Sequence, residues 1–168
     1  MRNEKSCCFT GHRNPAKADL PGLKTKLEQM IESLICQGVS RFLNGGAVGF
    51  DALCAEIVLD FKQKNEAVKL VMILPCRDQD KSWSEKDKAA YKDILAAADE
   101  TIYVSEEYFD GCMKLRNIRL VEESDFCIAY VKRQRSGSAQ TMRLAQKKGI
   151  PIFNLAVDNP EDSSNKKN

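Results

Sequence analysis

Arg41-Phe-Leu-Asn-Gly-Gly-Ala-Val-Gly-Phe-Asp51 joins an apolar strand (Phe42, Leu43) to the start of a helix through Gly45, Gly46 and Gly49. Strand, tight turn and helix N-terminus, in that order, form a layout that holds phosphate. Glycine lets the backbone approach a ligand, and the unpaired N–H groups and dipole of a helix start favour an anion. The spacing departs from the dinucleotide fingerprint G-x-G-x-x-G, and no Lys-Ser/Thr pair of P-loop type follows. Taken alone, the turn fits a phosphate cradle and an ordinary β-to-α turn equally well.

Working outward, the chain alternates strand and helix about six times. Residues 6–10 (Ser-Cys-Cys-Phe-Thr) read as a buried strand ending in Gly11-His12-Arg13, and Asn14-Pro15 breaks into a loop. Leu23, Leu27, Met30, Ile31, Leu34 and Ile35 recur at helical spacing, with Gly38 placed to end that helix. Leu53, Ile57 and Phe61 give the helix after the glycine turn its apolar stripe. Val68 to Leu74 is apolar apart from Lys69, as suits a strand buried on both faces. A polar segment from Cys76 to Trp83 leads into a helix through Ala97, then a strand over Thr101 to Val104. After a loop over Ser105 to Gly111, Met113, Leu115, Ile118 and Val121 pack a fourth helix. Asp125 to Val131 is strand five, residues 132–138 its outgoing loop, and a helix to Lys148 stops at Gly149. Ile150 to Leu155 is the last strand. The fold expected is α/β, a three-layer Rossmann-like sandwich with a mainly parallel sheet, built as one domain over 1–157 with a polar tail over 158–168.

Composition bounds the function. Formal net charge is +2, which neither demands nor excludes a nucleic-acid partner, but a domain built on phosphate-backbone contacts is usually more basic, so no such partner is expected. No apolar run approaches the roughly 20 residues that span a bilayer, and no secretory leader is seen, so the expected location is the cytoplasm, with no membrane partner. The 7 cysteines form no C-x-x-C pair and are expected to be reduced thiols acting as small hydrophobes. His12 is the single histidine, so a multi-histidine zinc site cannot be built, and no metal is expected.

In a parallel sheet the ligand lies beyond the carboxyl ends of the strands. Strand one contributes Thr10-Gly11-His12-Arg13 there, strand two Asn44-Gly45-Gly46, strand three Arg77 and Gln79, and strand five Ser136-Gly137-Ser138. Four loops converge on one edge, which counts for more than any single motif.

Thr10-Gly-His-Arg13, then Gly45-Gly-Ala-x-Gly-x-Asp51, then Gln79 to Trp83 resemble the SLOG superfamily, within it the YpsA-like branch of bacterial proteins of unknown function. Arg116-Asn117, Ser124-Asp125 and the Gly137-Ser138 loop before Ala145-Gln-Lys-Lys-Gly-Ile-Pro-Ile152 fit that branch, so the resemblance runs from Cys7 to Leu155. The superfamily includes the DNA-processing protein DprA and the LOG phosphoribohydrolases. The resemblance implies a Rossmann-like pocket for a nucleotide or ADP-ribose-like ligand, lined by Thr10, Gly11, Arg13, Gly45, Gly46, Gly49, Gly137 and Ser138, with no certain cofactor. It does not carry over the LOG reaction: where that family has P-G-G-x-G-T-x-x-E with a catalytic glutamate, Gly137-Ser138 places Thr141 at the glutamate position, and the Pro-Gly-Gly start is missing.

Each remaining candidate has two readings. Arg13 pairs with phosphate through its planar fork, or is a surface arginine. His12 polarises a ligand or acts as general base, or hydrogen-bonds backbone in its own loop. Asp51 contacts ribose hydroxyls, or only complements the helix dipole, and its charge opposes a phosphate in the same turn. Trp83, beside Gln79, stacks a nucleobase or covers the sheet edge. Arg116, beside Asn117, reaches a second phosphate or is a solvated helix residue. Arg133 and Arg135 funnel an anion or form a wet loop. His12, Asp51 and Glu56 are weak candidates for proton transfer. The functions expected are therefore a sensor or regulatory domain for a nucleotide-like ligand, then an enzyme cleaving an N-glycosidic or phosphate bond, then a DprA-like single-stranded DNA binder. An apolar face left exposed by helix one or four would serve a homo-oligomer.

Overall fold

The structure, a computed structural model, describes residues 4–156. The expected tail over 158–168 lies outside the described residues. Six parallel strands form one sheet: β1 (Lys5–Gly11), β2 (Val39–Asn44), β3 (Lys69–Leu74), β4 (Glu100–Tyr103), β5 (Phe126–Tyr130) and β6 (Ile152–Asn154). Their spatial order is β4-β3-β2-β1-β5-β6. The chain moves outward from β1 to β4, then returns to lay β5 on the other side of β1. The α/β sandwich expected from the alternating pattern is the fold observed.

Helices α1 (Leu20–Cys36), α2 (Phe50–Lys64) and α3 (Glu85–Ala97) cover one face of the sheet, and α4 (Cys112–Glu122) and α5 (Gly137–Lys148) cover the other. Strand alternation feeds both layers. On β3, Leu70, Met72 and Leu74 join the core under α1–α3, while Val71 and Ile73 join the one under α4 and α5. Six cysteines are buried as thiols, and Cys36 is exposed.

Local chemistry sets the helix ends. Ser84 caps α3 by accepting the Asp87 N–H at 3.1 Å, and Ser136 caps α5 by accepting that of Ala139 at 3.1 Å. Gly149 closes α5 at φ +85°, with Lys147 and Lys148 in the last turn against the dipole.

Three details depart from the sequence pattern. In α4, Leu115 is 46% exposed, and the buried side chains are Cys112, Arg116, Leu120 and Val121. Arg116 turns inward to bond the Gly45 carbonyl, which sets the helix's rotation. In α2 the buried side is wider than the expected stripe: Phe50, Asp51, Cys54, Ala55, Ile57 and Val58 are buried, and Leu53 and Phe61 only partly so. The final strand is shorter than 150–155, and the Asn154 side chain takes over the pairing, accepting the Val131 N–H at 3.1 Å and donating to its carbonyl at 3.0 Å.

Candidate functional site

Sheet order reverses between β1 and β5, and at such a switch the two outgoing loops part and leave a crevice. An open cleft of about 760 Å³ lies there. Thr10, Gly11, His12 and Arg13 line it from the end of β1, Arg133 and Ser136 from the loop after β5, and Gly137 and Ser138 from the first turn of α5. Asp51 contributes from the first turn of α2, and Arg116 and Asn117 from α4. Thr10 Oγ1 donates to the Ser138 carbonyl at 3.4 Å, tying the two loops together.

His12 organises this wall. Its Nε2 accepts the Lys132 N–H at 2.8 Å and the Arg133 N–H at 3.3 Å, so that nitrogen carries no proton. The proton is on Nδ1, which donates to Ser138 Oγ at 3.2 Å. With Ser136 donating to the Arg133 carbonyl at 3.0 Å, the Ser138 hydroxyl is left to donate a hydrogen bond to Ser136 Oγ at 3.3 Å. This relay fixes the Gly-Ser loop over the sheet edge. Burial, with help from the Arg133 and Lys132 charges, lowers the His12 pKa. A base whose lone pair already holds two amides has none left for a substrate proton. Ser136, named in the sequence only as part of the strand-five loop, serves as both helix cap and relay member; the signal for the cap was a serine immediately before a helix start.

Asp51 and Arg116 form the opposite wall, 7% and 6% exposed. Asp51 Oδ2 accepts the Ala47 N–H at 3.2 Å, while Oδ1 is buried without a hydrogen-bond partner among the described residues. Burial pushes the Asp51 carboxyl up to about 6, against the pull of Arg116, the Ala47 amide and Arg13. Arg116 donates Nη1 to the Gly45 carbonyl and Nε to Asn117 Oδ1 at 2.8 Å, so it is no solvated helix residue. Its Nη2 makes no hydrogen bond among the described residues.

Gly45, Gly46 and Gly49 stand behind this wall rather than in it. A Cβ on Gly45 would meet Arg116 Nη1 at 2.7 Å, and one on Gly46 would meet Leu74 Cδ2 at 2.5 Å. The turn's glycines are explained by packing. Asn44 braces the turn, accepting the Gly46 N–H and donating to the Asp51 carbonyl, both at 2.8 Å. Gln79 and Trp83 lie on the far side of the turn. Gln79 Nε2 donates to the Gly46 carbonyl at 3.2 Å, and Trp83 meets Tyr91 edge-on, ring centres 5.0 Å apart, beside a separate cavity of about 40 Å³. Glu56 is exposed on α2, outside the cleft, and Thr141 is buried with its hydroxyl on the Gly137 carbonyl at 3.3 Å. Among the described residues Asp51 is the one acid lining the cleft.

The family model described as the YspA SLOG family matches residues 8–155. The chain belongs to that family. The motifs quoted above pointed to the same branch. Among relatives of this SLOG chain, the UPF0398 protein BH1768 of Halalkalibacterium halodurans is 32% identical over 118 residues, covering 69% of this chain and 62% of that protein. The chain thus spans less than two thirds of that relative. The SPbeta prophage-derived protein YoqJ of Bacillus subtilis is 31% identical over 157 residues, covering 81% of this chain and 92% of its own.

Two solved structures share the fold. DNA processing protein A from Helicobacter pylori, described with a single-stranded DNA binding mode, aligns at a TM-score of 0.64 and 23% identity, over 97% of this chain and 72% of that one. DprA from Streptococcus pneumoniae aligns at 0.68 and 15%, over 94% and 52%. No helix among the described residues is long and apolar enough to cross a membrane.

Proposed function

We propose that this cleft binds a phosphate-bearing, nucleotide-derived small molecule, and that the chain is a binding or sensor domain for it. One observation carries the reading: the N-terminus of α5 opens onto the cleft with the Gly137 and Ser138 amides unpartnered among the described residues. A helix start with free amides favours an anion. The exposed Arg13 and Arg133 side chains line the same cleft and supply charge for a phosphate. The glycine turn keeps a part in this reading as the scaffold that seats Arg116 and Asp51, while the phosphate is assigned to the α5 end.

Thermal-shift measurements with AMP, ADP, ADP-ribose and inorganic phosphate test the reading. A ligand at a hundredfold excess over its Kd stabilises by about 2.7 kcal/mol, a shift of several degrees. Arg13→Ala weakens the shift, and Lys86→Ala, on the exposed side of α3, leaves it unchanged. No stabilisation by any of the four at millimolar concentration contradicts the reading.

The fold shared with DNA processing protein A supports a second reading in which Arg13 and Arg133 of the cleft, with the exposed Arg135 on the same loop as Arg133, receive a nucleic-acid backbone. The near-neutral charge had argued against such a partner, and the shared fold reopens the question. This reading predicts oligonucleotide affinity that falls steeply between 50 and 200 mM salt, measured by fluorescence anisotropy. Hydrolysis of an N-glycosidic bond rests on Asp51, because Thr141 stands where that chemistry needs a carboxylate. Free base released from nucleoside monophosphates, detected by chromatography and lost in Asp51→Asn, is its signature.

A further inference from the structure

We infer that Asp51 and Arg116 together read a sugar hydroxyl of the bound ligand, so that the site selects ribo- over deoxyribo-compounds. The inference rests on the phosphate reading and adds the ligand's orientation. Asp51 is 7% exposed, lines the cleft and keeps one carboxylate oxygen without a partner among the described residues. A sealed, unpartnered carboxylate oxygen is costly, and such a group in a native protein calls for a reason. Among the described residues nothing uses that oxygen: the turn engages only Oδ2, through the Ala47 amide.

The chemistry of the pair narrows what completes it. Asp51 and Arg116 crowd one side of Gly45, where an added Cβ would lie 2.7 Å from Arg116 Nη1 and 3.2 Å from Asp51 Oδ2. One offers a free acceptor, and the other offers a free donor, Nη2. A phosphate accepts only, and the Asp51 charge repels it. An amino group donates only. A hydroxyl does both, and a ribose carries two side by side. Oδ1 is reached by a turn of the carboxylate about its terminal torsion, which is broad for aspartate. With the phosphate at the α5 N-terminus and the hydroxyls at Asp51, the ligand lies across the switch point, from β5 towards α2.

Calorimetric titration of the wild-type protein with AMP, 2′-deoxy-AMP and 3′-deoxy-AMP tests this without any variant. AMP binds about tenfold or more tightly than the weaker of the two deoxy compounds, the worth of a hydrogen bond to a charged group. In Asp51→Asn, whose far-UV spectrum and melting confirm folding, that ratio collapses to within about threefold. Equal affinities for all three in the wild type overturn the inference while leaving the phosphate site standing, as does a ratio that survives Asp51→Asn. Absence of binding by all three and by inorganic phosphate overturns both.

Discussion

The backbone of Arg13 fills the space beside Gly49: a Cβ there would lie 2.9 Å from Arg13 Cα and closer still to its carbonyl. Gly49 also holds φ +79° and ψ −118°, a conformation that L side chains rarely adopt. The contact joins the loop after β1 to the start of α2, supported by the Phe50 N–H donating to the His12 carbonyl at 3.2 Å. Gly49→Ala therefore costs about 3 kcal/mol or more, combining strain and overpacking, and lowers Tm by about 6–12 °C. Gly137→Ala meets nothing within 4 Å and has no positive φ, so its melting stays within about a degree of wild type. Differential scanning calorimetry of the two variants separates them.

Burial of the Asp51 carboxylate costs the fold stability wherever that group is charged. Its carboxyl stands at about 6 in the folded chain, above the ordinary 3.8, so the native state binds the extra proton between those values. Stability from this group is full below pH 3.8 and lost as pH rises through 6. Asp51→Asn removes the titration. Urea unfolding should show the variant equal to wild type near pH 4 and more stable by roughly 3 kcal/mol at pH 8. A gap that is constant with pH would show that burial of the charge is not the cause.

His12 titrates in the opposite sense. Its folded pKa is lowered from 6.5, so protonation favours the unfolded chain. The stability it contributes is full above pH 6.5 and lost as pH falls through 6.5 towards the lowered folded value. His12→Gln keeps an acceptor for the Lys132 and Arg133 amides but cannot charge, so it gains on wild type as pH falls from 7 to 5. His12→Ala leaves both amides without their acceptor and costs about 1–3 kcal/mol at pH 8. Chemical denaturation across that pH range reads both.

Much of this was legible in the strand-helix rhythm and the motifs. Of the residues those signals placed at the sheet edge, Thr10, Gly11, His12, Arg13, Ser136, Gly137 and Ser138 line the cleft, as do the helix candidates Asp51, Arg116 and Asn117, whereas Asn44, Gly45, Gly46, Arg77 and Gln79 do not. The partners of the glycines were not legible, because they come from afar: Gly45 is met by Arg116 from α4, Gly46 by Leu74 from β3, and Gly11 by Phe50 from α2. Locally, a glycine that yields to a phosphate looks the same as one that yields to a side chain. Periodicity misassigned Leu115 for a related reason. It scores apolar residues, and the inward face of α4 carries an arginine held by a backbone carbonyl 71 residues away.

The packing of Trp83 on Tyr91 predicts a part in stability rather than in ligand binding. Its edge-on contact with Tyr91 lies across the glycine turn from the cleft. Trp83→Leu should cost about 1–3 kcal/mol in unfolding while leaving nucleotide affinity within twofold of wild type. A tenfold loss of affinity with little change in stability would assign Trp83 to the ligand.

The central claim is that the α5 N-terminus, facing Arg13 across the switch point, holds the phosphate. A crystal structure with AMP at millimolar concentration tests it most directly. The account predicts phosphate oxygens about 3 Å from the Gly137 and Ser138 amides. Phosphate density instead at the Gly45–Gly46 turn, or an empty cleft under those conditions, would contradict it.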